Sequence, residues 1–107
     1  MTLAIKNLSD GQLPSTEGDL YLVPADTSAV VRMITLTNKG TGTNSVTLYI
    51  KPSGGTSRSI GVEDLPMGTK EHYFDDGPYS LETGDAIRGV ATNASEVDYY
   101  LGGTEDS

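Results

Sequence analysis

Apolar residues along this chain recur at every second position in short runs, and no stretch sustains the 3.6-residue period of an amphipathic helix. From Ser45 to Lys51, Val46, Leu48 and Ile50 fall on one face while Thr47, Tyr49 and Lys51 fall on the other, the mark of a half-buried strand. From Ala29 to Asn38, Ile34 and Leu36 alternate with Thr35 and Thr37, but Val30, Val31 and Met33 load both faces with apolar side chains. This predicts a central strand whose first half is covered on both sides. The intervening Lys-Gly-Thr-Gly-Thr-Asn is rich in turn formers, so 29–51 reads as a hairpin at the centre of the core.

The remaining runs are shorter. Residues 2–8 form a strand candidate with Leu3 and Ile5 on one face, and Asp19 to Val23 form another, ended by Pro24. Ser57 to Val62, Lys70 to Phe74, Tyr79 to Leu81, Ala86 to Thr92 and Val97 to Leu101 follow, separated by glycine-, proline- and aspartate-rich breakers. Asp75-Asp76-Gly77-Pro78 is the strongest of these turn sequences. Such spacing predicts an all-β, single-domain antiparallel β-sandwich or jelly roll of about eight strands. Residues 1–18 read as an N-terminal strand or arm with its connection, 19–103 as the sandwich, and 104–107 as a flexible acidic tail.

A chain of 107 residues is one domain by length. It lacks cysteine, so neither disulfides nor thiolate metal sites contribute. No stretch reads as a signal peptide or as a membrane-spanning run. The net charge of −8 is confined to the second half. Through Ser53, Asp10, Glu17, Asp19 and Asp26 balance Lys6, Arg32, Lys39 and Lys51; the residues from Gly54 onward carry the whole excess. Such a field repels a phosphate backbone and argues against nucleic acid as a partner.

Candidate chemistry is sparse. His72 is the single histidine, and no nucleophile elbow accompanies it, so the chain reads as non-enzymatic. Asp75, Asp76 and Asp85 are hard oxygen donors, but without an Asp-x-Asp-x-Asp-Gly loop they read as turn acids; neither a metal nor a cofactor is expected. Tyr21, Tyr49 and Tyr100 occupy strand positions opposite the expected core residues, where they can fill a partner's pocket or stack on a sugar. Arg32, Arg58 and Arg88 are the matching candidates for bridges between subunits.

Three passages carry a resemblance to a known group. Leu-Tyr-Leu-Val-Pro-Ala (20–25), Val-Val-Arg-Met-Ile-Thr-Leu-Thr-Asn (30–38) and Val-Thr-Leu-Tyr-Ile-Lys-Pro-Ser-Gly-Gly-Thr-Ser-Arg (46–58) resemble small β-sandwich structural proteins of tailed-bacteriophage virions. The passages 81–89 and 97–103 look like the close of the same pattern. The resemblance implies a capsid decoration, or cement, protein made in the host cytoplasm and placed on the virion's capsid surface. Its implied partners are the major capsid protein and copies of itself, as a trimer or another small symmetric oligomer. A tail or neck accessory protein and a carbohydrate-binding attachment module are the alternatives.

Overall fold

A computed structural model describes residues 3–107. Ten strands run in order: β1 (Leu3–Gln12), β2 (Gly18–Leu22), β3 (Ser28–Asn38), β4 (Asn44–Lys51), β5 (Arg58–Ser59), β6 (Leu65–Met67), β7 (His72–Asp75), β8 (Tyr79–Leu81), β9 (Ala86–Ala91) and β10 (Val97–Asp106). They form two antiparallel sheets. Sheet A has the order β1-β10-β3-β7, with β8 also on β3; sheet B has the order β2-β9-β4-β5, with β6 also on β4.

The pairing is nested, first strand with last and second with second-last, then β3 with β7 and β8, and β4 with β5 and β6. Successive pairs alternate between the sheets, which is the winding of a jelly roll. Because β7 and β8 share one edge of β3, and β5 and β6 one edge of β4, ten strands occupy eight strand positions. The expected sandwich of about eight strands is therefore the observed architecture.

Inward positions of both sheets make the core: Val31, Ile34, Leu36, Val46, Leu48, Ile87, Val97 and Leu101 are fully enclosed. Each such side chain contributes roughly 1.5–3 kcal/mol before chain entropy is subtracted.

The hairpin expectation for 29–51 is corrected. Strand β3 lies in sheet A and β4 in sheet B, so 39–43 crosses between sheets. Each strand already has both edges occupied, β3 by β10 and β7/β8, β4 by β9 and β5/β6. The buried Asn38 side chain holds the crossing: Nδ2 donates to the carbonyls of Gly42 (2.9 Å) and Met67 (2.8 Å), and Oδ1 accepts from the Gly40 amide (2.9 Å) and from Asn44 (3.2 Å). Every hydrogen-bonding position of that amide is used, which is how a polar group is accommodated at zero exposure.

Two further expectations change. Asp75-Asp76-Gly77-Pro78 does not reverse the chain, since β7 and β8 run on along the same edge of β3, Asp75 opposite Ile34 and Tyr79 opposite Val31. The segment is a kink, and Gly77 is required there because its φ is +56° and a Cβ would lie 2.6 Å from the Val31 carbonyl oxygen. Residues 104–107 are not a fraying tail: β10 continues through Asp106, paired with β1 on one side and β3 on the other. Nor is 3–18 an arm separate from the sandwich. Strand β1 is the edge of sheet A, and Leu13 is fully buried, its amide donating to Val97.

Candidate functional site: the outer face of sheet A

Register fixes what stands together on this face. Across the strands lie the rows Ile5, Thr104, Val30 and Ser80; then Asn7, Gly102 and Met33; then Asp10, Tyr100, Thr35 and Phe74. The apolar members make a patch on a sheet face that the described residues leave open, with Ile5 88% and Phe74 56% exposed. Here the expected double coverage of the 30–33 stretch is corrected. Val31 points into the core, whereas Val30 and Met33 are only half-buried on the outer side.

The patch is indented. Strand β1 bulges between Asn7 and Ser9, and the β10–β3 ladder shifts between Gly102 and Gly103 at Arg32, so the register is broken on both sides of Gly102-Gly103. The result is an open groove of about 560 Å³ lined by Ile5, Lys6, Asn7, Arg32, Met33, Tyr100 and residues 102–104. Gly102 floors it: a Cβ there would sit 3.1 Å from the Tyr100 ring and 3.5 Å from the Met33 methyl. Gly103 serves the ladder instead, since a Cβ would run into the Val30 carbonyl. Arg32 is exposed and makes no ion pair among the described residues, whereas Lys6 at the rim holds Glu105 at 2.9 Å and Lys39 holds Asp98 at 3.0 Å. The Lys39 bond keeps the Asp98 carboxyl below its ordinary range, with Gln12 adding a second hydrogen bond.

Of the six interface candidates, the structure brings Arg32 and Tyr100 together at this groove. It places the other four elsewhere. Tyr21, expected on an outer face, is 7% exposed and belongs to the core. A bulge between Asp19 and Tyr21 turns Leu20 and Tyr21 both inward, and Leu22 is left exposed. Its phenol donates to Glu105 across the sheets. Burial raises the Tyr21 pKa, and the bonded carboxylate adds to the rise; the same bond, with Lys6, holds the Glu105 pKa below its ordinary value.

Tyr49 and Arg88 face each other on sheet B, with Arg58 on β5 at the edge. Arg88 is committed within its own chain, 2.9 Å from Glu17 and 2.9 Å from Asp19. The acids of the breaker sequences accept hydrogen bonds within their own chain, although Asp75 lies at the end of β7 and not in a turn. Asp75 accepts from the Tyr79 hydroxyl (2.6 Å) and the Gly77 amide (2.8 Å), and Asp85 from the amides of Ser53 and Glu82 (both 2.9 Å). Burial first, and then Asp75, raises the pKa of Tyr79 and of Tyr73. His72 is exposed on β7. No three histidine or carboxylate side chains converge among the described residues.

The groove residues that the sequence reading left out are Ile5, Asn7, Met33 and the Gly102-Gly103 pair, with Phe74 beside them. The signal for them was present in Val30 and Met33, apolar out of period, and in two adjacent glycines inside a strand.

No family model matches the chain, and no curated protein matches it in sequence. Solved structures do resemble it. A chain of the Bacillus endospore appendages, a family of disulfide-linked pili, is 17% identical, with 99% of this chain and 88% of that one aligned at a TM-score of 0.58. A chain from the structure of infectious bursal disease virus, Gx strain, is 10% identical at a TM-score of 0.50; 97% of this chain aligns with 30% of that longer one. At these identities the likeness is one of fold.

Proposed function

We propose that this protein is a non-enzymatic structural component of an assembled particle, and specifically a decoration protein on the capsid surface of a tailed bacteriophage. The observation that carries the reading is the indented apolar outer face of sheet A, where Ile5, Met33 and Tyr100 line a groove with Arg32 and Phe74 stands exposed on the same face. An exposed patch of that kind, rimmed by polar residues, marks a protein contact surface. The fold it shares with a pilus chain and with a chain from a virus structure supports an assembly role. A small two-sheet sandwich suits a protein that clamps onto a shell, where many copies multiply weak contacts.

A tail or neck accessory protein would need a contact face of the same kind. Fibre formation is a second reading, favoured by the longer alignment with the pilus chain. These 107 residues contain no cysteine, so any fibre they build is joined without disulfides.

The test is to mix the purified protein with phage heads stripped of accessory proteins and to count bound copies by electron microscopy. Binding at regular lattice positions is expected. Failure to bind any shell, together with retention on a glycan column, would replace the structural reading with carbohydrate binding.

A further inference from the structure

The proposed structural role leaves open what covers the sheet A face, and we infer that a second copy of the chain does. Two copies pack face to face about a twofold axis, with Phe74 of each entering the groove between Tyr100, Met33 and Ile5 of the other, and Arg32 of each meeting Asp76 of the other. This inference rests on the structural reading above.

Three observations favour a second copy. The first is that knob and hole lie on the same face. Phe74 stands in the row Tyr100, Thr35, Phe74, two strands or about 10 Å from Tyr100 in the groove wall. A patch that carries both members of a complementary pair is what a twofold interface demands.

The second is charge. Each copy carries −8, so two copies repel unless they meet where local charge is balanced. On this face Arg32 stands opposite the kink containing the exposed Asp76, yet the two make no ion pair among the described residues. At the margins Lys6 and Lys39 are neutralised by Glu105 and Asp98, while Asp10, hydrogen-bonded by Asn7 at 2.7 Å, keeps its charge on the edge strand β1. A twofold rotation about a point between Arg32 and Asp76 makes two intermolecular pairs from charges left single in the monomer.

The third is area. Strands β1, β10 and β3, of ten or eleven residues, with the shorter β7 and β8 along the fourth position, present a face of about 600 Å². Two such faces bury about 1,200 Å², the lower bound of a specific interface. Sheets stacked in this way pack about 10 Å apart with interdigitating side chains.

Analytical ultracentrifugation of the full chain tests this apart from any shell. The expected result is a dimer at about 100 μM protein. Phe74→Ser weakens association by at least about 10-fold. Arg32→Asp weakens it by a similar factor, and Arg32→Asp combined with Asp76→Arg restores it to within about 3-fold of the starting protein. A monomer at that concentration overturns the inference, as does a dimer indifferent to Phe74→Ser or a charge reversal that the second reversal does not rescue. Each outcome is separable from the function above: a monomer that decorates phage heads keeps the structural role and removes the dimer.

Discussion

The two outer faces of this sandwich are built from the same residue types and end in opposite conditions. On sheet B, Arg88 lies opposite Tyr49, clamped by Glu17 and Asp19, and the β5–β6 connection closes over Thr47, whose hydroxyl accepts from the Asp64 amide at 2.9 Å. On sheet A, Arg32 has no acidic clamp among the described residues, and the groove beside it is open. A strand-borne tyrosine and arginine therefore say little alone. What decides their role is which long-range neighbour satisfies them, and on sheet A the described residues supply none for Arg32.

Gly103 should be the position most sensitive to change, because it is where the groove meets the backbone ladder. Gly103→Ala forces a methyl group against the Val30 carbonyl and is expected to destabilise the fold by about 3 kcal/mol or more in urea denaturation. Gly102→Ala, one residue away, meets only the movable ends of Tyr100 and Met33 and should cost less than about 1 kcal/mol while filling the groove. If the two variants are equally stable, the division between ladder and groove floor is wrong.

Tyr21→Phe removes the inter-sheet bond to Glu105 and is expected to cost about 1–2 kcal/mol at neutral pH. The folded Glu105 carboxyl titrates below the value it has in the unfolded chain, which is about 4.3 for a free glutamate. Its contribution is thus present above that pH and is lost as pH falls through the lower, folded pKa. The stability gap between Tyr21→Phe and the parent should accordingly narrow on acidification; a gap that widens would mean that Glu105 is not the partner that matters.

Smaller effects separate the faces themselves. Arg88→Met opens the sheet B clamp and should lower stability by about 0.5–1 kcal/mol, a modest figure because these ion pairs are partly screened by solvent. It should leave association unchanged. Phe74→Ser reverses that pattern, with stability within about 0.5 kcal/mol of the parent and association lost.

Much of the fold was legible because alternation reports which residues share a face: Val46 and Leu48, Ile34 and Leu36, and the inward set of Ile87, Gly89 and Ala91 all follow from period two. Which sheet a strand joins was not legible. The link 39–43 has the composition of a tight turn, yet the partners that occupy both edges of β3 and β4 come from elsewhere in the chain, as far away as β10. Tyr21 was misplaced because one bulge inverts the faces beyond it, and nothing in Asp-Leu-Tyr-Leu announces a bulge. The acidic end read as a tail because Glu105 and Asp106 are charged, but Tyr21 and Lys6 engage Glu105 from other strands. At the groove, Arg32 and Tyr100 were found as exposed strand residues, whereas its glycine floor and its apolar walls emerge only once β1, β10 and β3 lie side by side.

Hydroxyl-radical footprinting of the same protein, dilute and at high concentration, compares the two faces within one molecule. Association through sheet A predicts that Met33, Phe74 and Tyr100 lose reactivity together at high concentration while Tyr49 on sheet B keeps its own. Protection of Tyr49 with Met33 and Phe74 unchanged would place the contact on the other face and contradict the account.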